Sequence, residues 1–364
     1  MYRTIKLLLF LFLASCSSDR DDTNIKLSNI DIKQQPHNNI PNLFSEEEKR
    51  EALIENKNII LLLLPLSGVN EKLGKGILNA CILAASKMQE SSDAEFRVID
   101  IADHTGRGNA IGNDLYKRFN GTNLKAIIGP VFSQEAKKVG MLFPDTPIFT
   151  FSNNISVNNG HVFSCGLSPQ DEVRRIFSYA RQKKIDTFLI MLPNDKMGDD
   201  TLKCVKSEVK ISNFSNRDVI EIMRYDNISI KDATRYANNS GKKSVFIIDP
   251  IVDRAKLRNI MKIFTLSPQA LSDMKAWNGS VFAFAESEEL HRFVEEYAKT
   301  FGNNPTILDI IAFDIVKAVY KMLLNESETE EAFNPTSGQY SGCMGRFCFR
   351  KNKGIRRHLL LFQH

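Results

Sequence analysis

The chain of 364 residues holds one tryptophan, six cysteines and six histidines, and these scarcities exclude several chemistries. No Cys-x-x-Cys pair occurs and no histidine stands at zinc-ligand spacing, so a structural metal is not expected. The histidines (His37, His104, His161, His291, His358, His364) are scattered, and none frames a serine nucleophile with a carboxylate. Walker loops, HExxH pairs and EF-hand loops are missing. Gly106, Gly108 and Gly112 miss the dinucleotide Gly-x-Gly-x-x-Gly spacing by one residue, so no cofactor is expected. No apolar run nears the roughly 20 residues needed to span a bilayer. Neither charge dominates: 48 basic residues against 43 acidic ones leave +5, mostly interleaved, which argues against a nucleic-acid partner.

What is present begins at the N-terminus. Arg3 and Lys6 precede a seven-residue apolar stretch, Leu7 to Leu13, which fits a secretory signal with a basic start and a short apolar core. Leu13-Ala14-Ser15-Cys16 resembles the bacterial lipobox, which implies a signal peptide of residues 1–15 and lipidation of Cys16. Two or more acyl chains anchor a protein stably where one is marginal. Ser17 and Ser18 replace the aspartate common after an inner-membrane cysteine, so a periplasmic protein lipid-anchored to the outer membrane is favoured. Residues 16–57 are polar and Asn-rich and read as a tether. Five cysteines remain beyond Cys16. Cys81 sits in an apolar helical pattern as a small core residue, and Cys343 with Cys348 is a candidate disulfide in an oxidising periplasm.

From residue 58 the texture is globular. Ile59 to Leu64 is a continuous apolar run ending at Pro65, the mark of a strand buried on both faces of a parallel sheet. Helical spacing follows over 73–88, then strands at 96–101, 126–128 and 148–151 alternate with helices at 110–119 and 133–143. A second series has helices at 169–182 and 198–210 with strands at 187–192, 219–224, 245–248 and 281–284. Helices at 288–301 and 306–324 come late, and strands at 345–349 and 358–362 flank Lys351-Asn352-Lys353-Gly354 as a predicted hairpin. The pattern is α/β with two parallel-sheet halves.

Ser133, in Gly129-Pro130-Val131-Phe132-Ser133, opens a predicted helix directly after a strand. A nucleophile elbow requires glycines two residues to either side, where Val131 and Glu135 stand, so an enzyme is not expected. Ser133 reads as a helix N-cap.

Several motifs in order resemble the type I periplasmic-binding-protein superfamily, the leucine/isoleucine/valine-binding class, across about 58–364. They are Leu64-Pro65-Leu66-Ser67-Gly68 with Leu73-Gly74-x-Gly76, Ile128 to Ser133, Pro147 to Asn153, and Tyr297-x-x-x-Phe301-Gly302-x-x-Pro305 with Ala312-Phe313-Asp314. The resemblance implies two Rossmann-like lobes: lobe 1 about 58–160 plus 287–325, lobe 2 about 165–284, with a C-terminal hairpin at 340–364. It implies a ligand cleft with Ser133 and Ser152 on lobe 1, and Met197 (where solute receptors present an aromatic residue) and Asp249 on lobe 2. Ser152 to Val157, Gly166 to Gln170 and Gly345 to Phe349 are similar to the lipoproteins that activate penicillin-binding proteins. That similarity implies a non-enzymatic partner of a peptidoglycan synthase; the alternative is a substrate-binding receptor that delivers a branched-chain or other amino acid to an ABC permease, and an amino acid or peptide is the expected ligand. Trp277, in a polar segment of the second half, reads as a packing residue or the anchor of a partner patch. The anchor is tested directly: Cys16→Ala should move the protein from the membrane to the soluble fraction, and an unchanged distribution would remove lipidation at Cys16.

Overall fold

The computed structural model describes residues 57–88, 94–102, 110–185, 187–211, 220–248, 252–257, 262–266, 280–284, 287–329 and 333–363. Cys16, the tether up to residue 56, Asp249 and Trp277 lie outside these residues.

β1 (Asn58–Leu64) shows what a continuous apolar run does in a sheet covered on both sides. Side chains alternate faces with period two: Ile60, Leu62 and Leu64 enter one apolar cluster, while Ile59, Leu61 and Leu63 enter another on the opposite face. α1 (Glu71–Ser86), β2 (Ala94–Asp100), α2 (Ala110–Phe119), β3 (Leu124–Ile128), α3 (Ser133–Leu142), β4 (Ile148–Thr150) and β5 (Val162–Ser164) follow. The five strands form one parallel sheet in the order β2-β1-β3-β4-β5.

After α4 (Pro169–Gln182), the second half repeats the logic with β6 (Phe188–Pro193), α5 (Lys196–Ile211), β7 (Ile220–Tyr225), α6 (Ile230–Asn239), β8 (Ser244–Ile247), β9 (Lys262–Thr265) and β10 (Val281–Phe284). Phe188, Ile190 and Leu192 face one cluster, Leu189 and Met191 the other. The chain then runs through α7 (Glu288–Phe301) and α8 (Ile307–Thr329), which bury Phe293, Tyr297, Ile311 and Val316 in the core of the first sheet. A helix apolar nearly all round must be enclosed, and α8 packs against α1 inside that core.

The C-terminal segment departs from the predicted hairpin. β11 (Tyr340–Gly342), β12 (Gly345–Arg350) and β13 (Gly354–Arg357) form an antiparallel sheet, with Phe347 opposite Arg357. β14 (Leu360–Gln363) instead crosses over to pair antiparallel with β10 at the edge of the second sheet, β14-β10-β9-β8-β6-β7. The positive φ of Asn352 and Gly354 turns the chain after residue 351 and starts the returning strand at 354, four residues earlier than the apolar pattern suggests. The candidate disulfide is not formed: Cys343 and Cys348 are both free thiols. Cys343 is buried with its Sγ toward the Glu289 carbonyl, while Cys348 alternates with buried Phe347 and Phe349 and takes the more exposed face.

α8 carries two buried carboxylates. Asp314 accepts the N–H groups of Cys343 (2.6 Å) and Met344 (2.9 Å) and lies 3.5 Å from Arg357 Nη1, joining the small sheet to the first core. Burial raises the Asp314 carboxyl, against the opposing pull of Arg357 and the two N–H groups. Asp309 accepts the Thr306 N–H at 2.7 Å and donates its own N–H to Thr306 Oγ1, a reciprocal cap on α8. Its other oxygen is buried without a partner, and burial lifts the group from 3.8 to about 6. A folded-state value above the unfolded one means the native state holds the proton longer, so stability is lost as pH rises from about 4 to about 6. Asp309→Asn, which keeps the acceptor, should therefore gain stability over wild type across that window. The gain should reach about 3 kcal/mol by pH 7, read from urea unfolding midpoints at pH 4, 5, 6 and 7.

Candidate functional site

Parallel strands bring all their carboxyl ends to one edge, where ligands of α/β proteins settle. At the end of β3, Gly129 to Phe132 turn the chain into α3. Phe132 is the N-cap (φ −99°, ψ 145°) and no side chain caps the helix. Ser133 is thus the first helical residue rather than the predicted cap, because only the residue before the helical dihedrals can turn its side chain onto the second or third N–H. Its hydroxyl makes no hydrogen bond to a described residue and stays available beside the first N–H groups of α3. Glu135 lies in the same first turn, which favours the helix dipole and tempers its attraction for an anion.

Ser152 is spent internally. Its Oγ accepts the Asn154 N–H at 3.1 Å, its N–H donates to Thr150 Oγ1 at 3.2 Å, and its carbonyl accepts the Gly166 N–H. The Pro130 carbonyl accepts both the Phe151 N–H (3.1 Å) and the Thr150 hydroxyl (2.6 Å). The turns after β3 and β4 are therefore held together, and the structure brings the segments of Ser133 and Ser152 to one edge.

In the second half, Asp195 Oδ1 accepts the Gly198 N–H at 2.8 Å and caps the start of α5. Met197, in that first turn, is 47 % exposed. A Cβ on Gly198 would overlap the Pro193 carbonyl, so this glycine lets the helix start close on the strand end. Gly74 does the same for α1 against the Pro65 carbonyl. Both glycines, Gly74 of the sequence motif among them, therefore serve backbone approach.

The residues that pattern reading missed are apolar. Val69, Phe132 and Ile155 follow the carboxyl ends of β1, β3 and β4, three neighbouring strands, and all are exposed. With Met197 at the matching end of β6, the strand-end edges carry large apolar side chains on both sheets. Their positions after Pro65, Pro130 and Asn154 were visible, but exposure is not.

No protein-family model matches the chain, and no curated protein matches it by sequence. Solved structures do. A protein described as a branched-chain amino acid ABC transporter from Rhodospirillum rubrum superposes with a TM-score of 0.72 at 13% identity, covering 84% of this chain and 97% of that one. An ABC transporter substrate-binding protein from Desulfitobacterium hafniense, in complex with Leu, gives 0.62 at 15% identity over 85% and 97%. A solute-binding protein of an ABC transporter from Rhodopseudomonas palustris, in complex with 3,4-dihydroxybenzoic acid, gives 0.60 at 15% identity over 85% and 93%. The fold is that of the type I periplasmic binding proteins.

The serines have different structural weights. Ser152→Ala should cost about 1 kcal/mol by leaving the Asn154 N–H short of an acceptor, whereas Ser133→Ala should change stability by less than about 0.5 kcal/mol. Urea unfolding of the two variants checks this, and equal losses would restore Ser133 as a cap.

Proposed function

We propose that the protein is a non-enzymatic, periplasm-facing solute receptor whose interlobe cleft holds a small carboxylate with an apolar body, for delivery to an ABC permease. The observation that carries this reading is the Ser133 hydroxyl at the start of α3, without a hydrogen bond to a described residue, on the same strand-end edge as exposed Val69, Phe132 and Ile155, with Met197 at the corresponding end of β6 in the other half. The hydroxyl and N–H groups suit a carboxylate, and the apolar residues suit its body, desolvated when the lobes close. The leucine and dihydroxybenzoate bound by two of the structural neighbours share that chemistry. An amino-acid ligand further needs a carboxylate for its ammonium, a role for Asp249.

A second reading, an activator of a peptidoglycan synthase, is supported by the same apolar edge: Val69 is fully exposed, as a residue that docks on another protein would be. One screen separates the two. The full-length protein is heated with free amino acids, aromatic carboxylates and peptidoglycan peptides. A ligand at roughly 100 times its Kd should stabilise by about 2.7 kcal/mol, a shift of several degrees. Under the receptor reading the shift occurs with an apolar carboxylate and is lost in Ser133→Ala and Phe132→Asp. Loss in Asp249→Asn as well identifies an amino acid. No shift with any compound, together with loss of synthase stimulation in Phe132→Asp, favours the activator.

A further inference from the structure

A groove of about 800 Å³ runs between α4 and the small sheet, and no strand-end residue named above lines it. On β12 and β13, Phe347, Phe349, Ile355 and Arg357 point inward, so Arg346, Cys348 and Arg356 share the other face. Cys348 pairs directly with Arg356, which places Arg346 and Arg356 as diagonal neighbours on one face. Across the groove α4 contributes Asp171, Arg174 and Arg175.

The charges there do not cancel. Arg174 is occupied by Asp171 (2.7 Å) and Glu208 (3.3 Å), and Arg357 by Asp314. Arg175 donates its Nε to the Leu359 carbonyl at 3.0 Å, which fixes the side chain without neutralising it. The side chains of Arg346 and Arg356 are exposed and make no hydrogen bond or close ion pair with any described residue, although Asp171 feels the charge of Arg356. Five arginines set against Asp171, Glu208 and Asp314 leave two positive charges. Like charges held on one sheet face repel, and a ligand that bridges them removes the repulsion. Guanidinium forks match planar or tetrahedral oxyanions in paired hydrogen bonds, and the volume suits a small molecule.

We propose that this groove is a second ligand site, separate from the strand-end edge, that binds a dianionic oxyanion ligand through Arg175, Arg346 and Arg356. The arginines come from two bodies. α4 belongs to the second core, while the small sheet is packed on the first through Phe349 against Phe149 (4.9 Å) and Phe163 (5.5 Å). A bound anion therefore ties the two together at the face where the chain crosses between them.

The test uses the full-length protein in neutral detergent at low salt, titrated calorimetrically with inorganic pyrophosphate and with succinate. The two arms separate phosphate from carboxylate ligands. One should bind, with affinity falling as salt is raised toward physiological strength. The double variant Arg346→Gln/Arg356→Gln should bind at least about tenfold more weakly with its thermal midpoint unchanged, since neither side chain holds the fold together. Alkylation of Cys348 by N-ethylmaleimide, mapped by mass spectrometry, should slow when the anion is bound. Absence of binding by both anions, equal binding by the double variant, or unprotected Cys348 would each overturn the site.

Discussion

The carboxylate of Asp314 is the contact on which the arrangement of the C-terminal region rests. It sits fully enclosed on α8, takes two backbone N–H groups from the turn before β12 and faces the guanidinium of Arg357 on β13. An isolated buried charge is costly, and one satisfied on several sides by fixed donors is tolerated. Arg357 stacks on Phe347 (5.0 Å) and is itself lowered by burial. The pair thus seats the small sheet on the first core, and from there the chain leaves as β14 for the second. A Cβ on Gly342 would overlap the Asp314 carboxylate, so that approach also depends on a residue without a side chain.

A second constraint follows from parallel pairing. With every strand of the first sheet running one way, the turns after β1, β3 and β4 must share an edge. Several polar side chains in those turns are engaged locally: the Ser67 hydroxyl donates to Asp100 at the end of β2, Ser152 accepts the Asn154 N–H, and Asn154 accepts the Ser156 N–H. What faces outward is a mixture: exposed Val69, Phe132 and Ile155, with exposed Asn153 and Ser156 beside them and the Ser133 hydroxyl at the start of α3. The exposed apolar side chains on this edge are the feature on which the chemistry proposed for the cleft rests.

The groove beside α4 has the opposite character. Its arginines lie far apart in sequence, at 174–175 and 346–357, and their concentration arises because the small sheet packs beside the first helix of the second half. In a chain of net charge +5 this face is a local excess that overall composition hides.

Local pattern alone determined most of the element list. α2, α4 and α7 begin and end where apolar spacing, Pro169, Ser287 and Gly302 place them, because caps and helical period are properties of a short segment. Ile59 to Leu64 announced a strand buried on both faces for the same reason. Other elements were not legible. β5 and β11 are three residues long, and β9 is exposed at its start, so neither length nor alternation marks them. Ser133 opens α3 as expected but does not cap it, since one residue of shift separates a cap from the first helical turn. Which strand received the C-terminal residues, which serine kept its hydroxyl, and where the arginines gathered were decided only in three dimensions. Those outcomes depend on contacts between segments dozens to hundreds of residues apart, whose free energies no local window of sequence contains.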